Sequence, residues 1–136
     1  MKLEDLVPVG TTNEETIEVT DELTVGFVLA GMPMVYATPQ MIQHIEVVCG
    51  AALRPLLPDG WISVGTLVNV QHLAATPVGF SVTTKCTVAE VSGPMVTFDV
   101  VVEDGVDTVG KGQHVRAAVE FERFLVGLGR KEQQRP

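Results

Sequence analysis

Residues 38–55 read TPQMIQHIEVVCGAALRP, and this stretch decides how the rest of the chain is interpreted. Its apolar side chains recur at three- and four-residue spacing, which predicts a helix with one apolar stripe. The stripe consists of Met41, Ile42, Ile45, Val48, Cys49, Ala52 and Leu53. Thr38 suits the N-cap and Pro39 the first helical position. The helix should end at Arg54, because a residue before proline is pushed out of helical geometry.

On the C-terminal side of this helix, the apolar pattern changes from helical spacing to alternation. Residues 61–74, 79–91, 95–103 and 108–121 are rich in Val, Thr and Phe and predict four long antiparallel strands. The segments between them, residues 76–79, 92–94 and 104–107, are short enough for hairpin turns. Before the helix, residues 16–20 predict one more strand and residues 21–36 predict a loop or lid.

One long helix and about five strands predict an α+β fold, in which a curved antiparallel sheet wraps around the helix. Such a sheet leaves exposed edges, and pairing edge to edge with a second copy would cover them. We therefore expect a homodimer. The length of 136 residues suits a single domain, and the polar residues 130–136 predict a disordered tail.

The composition excludes several classes of function. A formal net charge of −8 argues against nucleic-acid binding, which requires clustered Lys and Arg. The first nine residues include Glu4 and Asp5 and have no long apolar core, so we expect no secretory leader. No apolar run approaches the length that spans a bilayer. We therefore expect a cytoplasmic protein with reduced thiols and no membrane partner. The three His and two Cys residues are dispersed without ligand spacing, so we expect no metal site.

Three residues could carry chemistry. Glu46 projects onto the border of the apolar stripe, where a carboxylate is partly removed from water and could act as base or nucleophile; it could equally reach solvent. His72 shares the apolar face of its strand, which suits a catalytic residue or a buried core histidine. Thr38 could cap the helix, or its hydroxyl could hold an oxyanion or a water. On one straight helix, Thr38 and Glu46 are about 12 Å apart along the axis. They can act on one substrate only if Thr38 reaches in from the loop, if the helix starts later, or if long side chains and the ligand span this distance.

The remaining candidates carry weaker signals. Cys49 lies on the apolar stripe and is expected to behave as a small hydrophobic residue, and Cys86 has no adjacent histidine in its strand. His44 projects away from the stripe, which predicts a solvated side chain. His114 and Arg116 alternate on one face of the last strand and suit either ligand contacts or a surface position.

Several of these segments together resemble the fluoroacetyl-CoA thioesterase-like group of hot dog proteins. They are residues 35–38 (VYAT), the helix with Glu46, residues 65–70 leading into 72–79 (HLAATPVG), residues 104–107 (DGVD) and residues 114–117 (HVRA). The similarity extends from the lead-in of the helix to Phe124. It implies a dimeric hot dog fold and an acyl-CoA thioesterase without a cofactor, coenzyme A being part of the substrate.

The resemblance also implies roles for individual residues. It makes Thr38, Glu46 and His72 the catalytic set, with Gly65 near the acyl group and Arg116 near the site. The lead-in segment, including Tyr36, would contact the substrate. Where the fluoroacetyl-specific member of the family has two phenylalanines that gate the pocket, this chain has Leu29 and Met32. We therefore expect a different small acyl-CoA as substrate.

Three alternatives stay open at this point. A non-hydrolytic acyl-CoA or acyl-carrier binding module could use the same fold, because a fold does not determine a function. The presence of Thr38, Glu46 and His72 together weighs against it, since binding alone needs no proton-transfer groups. A hydratase or dehydratase is disfavoured because the helix starts with Thr-Pro-Gln instead of an Asp/His pair. A purely structural dimerisation or ligand-sensing domain is the third alternative.

Overall fold

Five strands form one antiparallel sheet in the computed structural model of the protein, which describes residues 1–136. The strands are β1 (Thr12–Glu18), β2 (Trp61–His72), β3 (Ser81–Ser92), β4 (Met95–Glu103) and β5 (Thr108–Glu120). Their order across the sheet is β1-β3-β4-β5-β2. The strands β1 and β2 are therefore the two edges, and each lacks a partner on its outer side.

Four α-helices accompany the sheet: α1 (Leu3–Leu6), α2 (Val25–Val28), α3 (Thr38–Leu53) and α4 (Phe121–Glu132). Short 3₁₀ turns occur at Asp21–Leu23 and Arg54–Leu56. The long helix α3 packs against β1, β2, β3 and β5 and buries the predicted apolar stripe except for the half-buried Ile42. A curved five-stranded sheet around one helix confirms the predicted α+β architecture. No helix is both long and apolar enough to cross a bilayer.

The connection between β2 and β3 differs from the sequence prediction. Residues 76–79 were expected to close a hairpin, but β2 pairs with β5 on the far side of β4. The reason is that the backbone of this loop bonds to other segments. The N–H of Tyr36 donates to the carbonyl of Thr76 at 2.8 Å, and the N–H of Gly79 donates to the carbonyl of Val19 at 2.9 Å. The loop therefore crosses the molecule and ties the end of β2 to the start of α3.

The ends of three elements also differ from the prediction. Ala37, and not Thr38, is the N-cap of α3, and no side chain caps this end. The first strand runs from Thr12 to Glu18, earlier than the predicted residues 16–20. A C-terminal helix, α4, follows β5 directly and was not predicted; residues 130–132, expected in a disordered tail, lie in its last turn.

Candidate active site

Thr38 and His72 meet at one end of α3. Thr38 is the first residue of α3 and His72 is the last residue of β2, and their Oγ1 and Nδ1 atoms lie 2.7 Å apart. The Nε2 atom of His72 is buried and has no hydrogen-bond partner. Burial lowers the pKa of His72, against the opposing effect of the Ala74 backbone, and so favours the neutral imidazole. In a neutral ring, this nitrogen either donates a hydrogen bond or accepts a proton, depending on which tautomer is present.

Both residues line an apolar cavity of about 430 Å³. Tyr36 lines it too, and its ring meets the ring of His72 edge to face, with 6.4 Å between the centroids. The hydroxyl of Tyr36 is buried without a partner, and burial raises its pKa to about 12. The phenol therefore stays protonated. Seven of the ten residues that line this cavity are hydrophobic, so it suits a ligand with an apolar part.

A network centred on Asp104 holds the loop after β2 against the start of α3. One carboxylate oxygen of Asp104 accepts backbone hydrogen bonds, the shorter being 2.7 Å from the N–H of Asp107. The other oxygen accepts a 2.9 Å hydrogen bond from the buried hydroxyl of Thr76, whose carbonyl is bonded to the N–H of Tyr36. The N–H of Asp107 is the main cause that lowers the pKa of Asp104. This network links the 104–107 turn to the 72–79 motif and so supports the Thr38–His72 contact.

Glu46 lies two turns further along α3, over a bulge in β2. The strand β2 pairs with β5 at Gly65 and again at Leu67, which leaves Thr66 as the extra residue of the bulge. A Cβ atom at Gly65 would collide with the Oε1 atom of Glu46. The carboxylate of Glu46 thus occupies space that any side chain at position 65 would fill. A glycine is required there for this position of the carboxylate.

Two buried residues of β5, His114 and Arg116, adjoin this glycine. The guanidinium of Arg116 donates to the hydroxyl of Ser63 at 2.8 Å and to its carbonyl at 2.9 Å. Its Nη1 atom lies 3.2 Å from Nε2 of His114 and 3.4 Å from the carbonyl oxygen of Glu46. Burial lowers the pKa of Arg116, and the nearby carboxylate of Glu46 opposes that effect. No carboxylate lies within ion-pair distance of Arg116.

The two groups of residues lie in separate cavities of one chain. Glu46, Ser63 and Arg116 line a cavity of about 810 Å³ that neither Thr38 nor His72 reaches. On β5, the partners of Gly65 and His72 are six positions apart, which corresponds to about 20 Å along the strand. Because α3 already begins at Thr38, a later helix start does not bring Thr38 closer to Glu46.

Comparison with known proteins shows where this arrangement belongs. The model of the FlK family, the fluoroacetyl-CoA-specific thioesterases, matches residues 19–122. The chain belongs to the FlK family. A fluoroacetyl-CoA thioesterase of Streptantibioticus cattleyicolor is 40% identical over 95 residues, which cover 70% of this chain and 68% of the relative.

Solved structures agree with this membership. The structure of the fluoroacetyl-CoA thioesterase FlK superimposes with a TM-score of 0.88 at 33% identity, covering 96% of this chain and 98% of the other. A hot-dog-like protein of Thermanaerovibrio acidaminovorans gives a TM-score of 0.90 at 25% identity, with coverage of 96% and 97%. The predicted hot dog fold is thereby confirmed, and the predicted acyl-CoA thioester hydrolase is confirmed at the level of the family.

Of the five residues expected to contact the substrate, three lie beside the candidate catalytic residues and two are exposed on the surface. Gly65 and Arg116 lie next to Glu46, and Tyr36 lies next to His72. Leu29 and Met32, in contrast, are 55% and 48% exposed and line neither cavity of the single chain. These two side chains lie on the surface of the single chain, where a substrate or a second copy could contact them.

His44 was expected to be solvated, and this prediction is wrong. Its side chain is buried, with Nδ1 3.1 Å from the hydroxyl of Thr84 and Nε2 3.8 Å from a carboxylate oxygen of Glu15. Burial lowers the pKa of His44. The neighbours come from β3 and β1, so helical spacing alone could not reveal them.

Both thiols are free and buried, and Cys49 lies on the apolar stripe as predicted. A hydrogen bond to Cys86, together with burial, raises the pKa of Cys49, which leaves it poorly suited to nucleophilic attack. No group of three or more His, Cys, Asp or Glu side chains is arranged to hold a metal ion.

Proposed function

We propose that this protein hydrolyses a small acyl-CoA to the free acid and coenzyme A, as a homodimer in which each active site takes residues from both copies. The observation that carries the proposal is the division of the expected catalytic set along β2. Thr38 and His72 are in contact at one end of this edge strand, whereas Glu46 covers Gly65 further along it.

The edge strand itself supports assembly with a second copy. Residues 65–69 of β2 are exposed, including the apolar side chains of Leu67 and Val68. An unpaired apolar edge is a favourable surface for pairing with another strand. If β2 pairs antiparallel with the β2 strand of a second copy about a two-fold axis between residues 68 and 69, His72 lies opposite Gly65 of the partner subunit. Two equivalent complete sites result.

In each complete site, Glu46 takes part in the attack on the thioester carbonyl. It either removes a proton from a water whose oxygen bonds to the carbonyl carbon, or attacks directly to give an anhydride that water then hydrolyses. In both routes the carbon–sulfur bond breaks, and the departing thiolate takes a proton to become free coenzyme A. No cofactor enters either route.

His72 and Thr38 act on the other side of the carbonyl. When the hydroxyl of Thr38 donates to Nδ1 of His72, the ring proton is on Nε2, the atom without a partner. That N–H can donate a hydrogen bond to the developing oxyanion. The leaving thiolate takes its proton from the protonated Glu46 carboxyl in the general-base route, or from water in the anhydride route. Backbone N–H groups at the start of α3 or near Gly65 are further oxyanion donors.

The acyl group is proposed to be small and different from fluoroacetyl. Leu29 and Met32 occupy the positions where the resemblance implies two gating phenylalanines, and the neighbouring segment to Tyr36 borders the His72 cavity. Arg116 and Gly65 are proposed to contact the acyl end of the substrate. A difference of one methylene changes discrimination by only about 1–3 kcal/mol, so selectivity among short acyl groups should be graded.

Thiol release from a panel of short acyl-CoAs, including acetyl-CoA and fluoroacetyl-CoA, tests the activity. Wild type should turn over at least one member, and His72→Ala should lose most of this rate while keeping the wild-type melting temperature. Absence of turnover across the panel, with saturable acyl-CoA binding, would instead assign a binding module.

Mixed dimers test the shared site. Glu46→Gln and His72→Ala should each be inactive alone. After unfolding and refolding together, about one quarter of wild-type activity should return, because half of the dimers are mixed and each mixed dimer has one intact site. No recovery despite confirmed mixed dimers would place the complete site within one chain.

A further inference from the structure

His114 is fully buried next to Gly65, and its two ring nitrogens have different partners. Nδ1 lies 2.8 Å from the carbonyl oxygen of Leu67, and Nε2 lies 3.2 Å from Nη1 of Arg116. A carbonyl can only accept and a guanidinium can only donate. The ring must therefore be neutral, with its proton on Nδ1 and its lone pair on Nε2 facing Arg116.

This ring joins the bulge of β2 to the guanidinium. Leu67 is the first paired residue after the bulge, and its carbonyl accepts from His114. Arg116 is fixed by Ser63, before the bulge, and by His114. The backbone on both sides of Gly65 is thereby connected through two buried side chains of β5.

The same group of atoms surrounds the carboxylate of Glu46. A Cβ atom built on Gly65 would lie 3.1 Å from Cε1 of His114 and would collide with Oε1 of Glu46. The carboxylate and the imidazole therefore border the same small volume above the glycine. Arg116 also lies within hydrogen-bond distance of the backbone carbonyl of Glu46.

We propose that His114 is a positioning residue, which keeps the Glu46 carboxylate in its reactive place over Gly65 chiefly through its Nε2 contact with Arg116. The proposal rests on the function proposed above for Glu46. His114 does not exchange protons with the substrate, because both its nitrogens are already engaged inside the protein. A displacement of a reacting group by about 1 Å can cost about 100-fold in rate, so the loss of this connection should reduce kcat.

Two conservative variants separate the two contacts of the ring. The amide oxygen of His114→Gln can reach the place of Nε2 and accept from Arg116, whereas the amide nitrogen of His114→Asn can reach the place of Nδ1 and donate to Leu67. We expect His114→Gln to retain most of the wild-type kcat. His114→Asn should lose about 10- to 100-fold in kcat with KM changed less than about twofold.

The control is Gln113→Ala, an exposed neighbour on the same strand whose amide bonds to Asp99. It should leave both kcat and KM at wild-type values. Wild-type kcat in folded His114→Asn would overturn the proposal. So would equal losses in His114→Gln and His114→Asn that follow their melting temperatures, because that pattern indicates a purely structural residue.

A spectroscopic measurement tests the proposal independently of turnover. Nitrogen-15 NMR of the histidine ring should show His114 as the neutral Nδ1-protonated tautomer throughout the range from about pH 5 to 8. Titration of His114 in this range, or the Nε2-protonated tautomer, would overturn it. The two tests can fail separately. If the wild type is inactive on the whole acyl-CoA panel but His114 has the expected tautomer, the proposed function is wrong and Glu46 has no reactive role. The contacts of His114 with Leu67 and Arg116 would still stand.

Discussion

The two ends of the candidate site are built in opposite ways. At the Thr38–His72 end, a single 2.7 Å contact orients a half-buried imidazole and leaves its Nε2 atom unused. At the Glu46 end, Arg116 and His114 are buried and their polar atoms are engaged by Ser63, Leu67 and each other. A buried polar atom without a partner can still bond to a group that is brought against it, whereas a saturated network is suited to hold another group in place.

Removal of the Glu46 carboxylate should cause the largest loss of activity of the variants considered. Glu46→Gln keeps the shape of the side chain but cannot act as base or nucleophile. We expect kcat to fall by about 100-fold or more, as is typical for loss of a general base, while the melting temperature stays within a few degrees. Steady-state kinetics and thermal unfolding measure the two quantities. Wild-type rates in this variant would show that the reactive carboxylate is elsewhere.

Gly65→Ala should have the next largest effect, because its methyl group would take the space of the Glu46 carboxylate. We expect kcat to fall by about 10-fold or more, since the carboxylate must move. Gly127→Ala is the matched control: it lies in α4 with open space around it, and it should gain about 0.5–1 kcal/mol in stability without any change in rate. Equal rates in both variants would contradict the tight contact over Gly65.

The smallest effect is expected for Asp104, whose hydrogen-bond network supports the Thr38–His72 contact. The pKa of Asp104 is held below its ordinary value by the N–H of Asp107, so its ionised form stabilises the fold above the unfolded-state pKa. This contribution disappears as the pH falls through the lower, folded-state pKa. Asp104→Asn should therefore lower the melting temperature most near pH 7, and the difference from wild type should shrink below about pH 4. A difference that is constant with pH would mean that the charge of Asp104 has no role.

The sequence predicted the parts of this molecule that depend on local spacing. The apolar stripe of α3 and the positions of four long strands follow from periodicity, and the strand Met95–Glu103 has the predicted bounds. The Thr38, Glu46 and His72 candidates came from residue chemistry and from resemblance to a family. The role of each of the three stays a prediction.

The parts that the sequence did not predict depend on distant partners. The strand β2 lies beside β5 and not beside β3. Local sequence patterns predict that β2 is a strand, but they do not show with which strand it pairs. The bulge at Thr66 interrupts the two-residue alternation, so counting from Val64 cannot assign a face to His72. His114 and Arg116 were expected to share a face, but spacing could not tell whether that face was buried.

The strand order also has a consequence for how the protein folds. The strands β3, β4 and β5 are neighbours in sequence and can form as successive hairpins, whereas β2 must wait for a β5 that lies about fifty residues away, at a higher loop-closure cost. The strand that carries both Gly65 and His72 is therefore expected to join the sheet late. Until it joins and its outer edge is covered, it exposes apolar side chains, so refolding yield should fall as protein concentration rises.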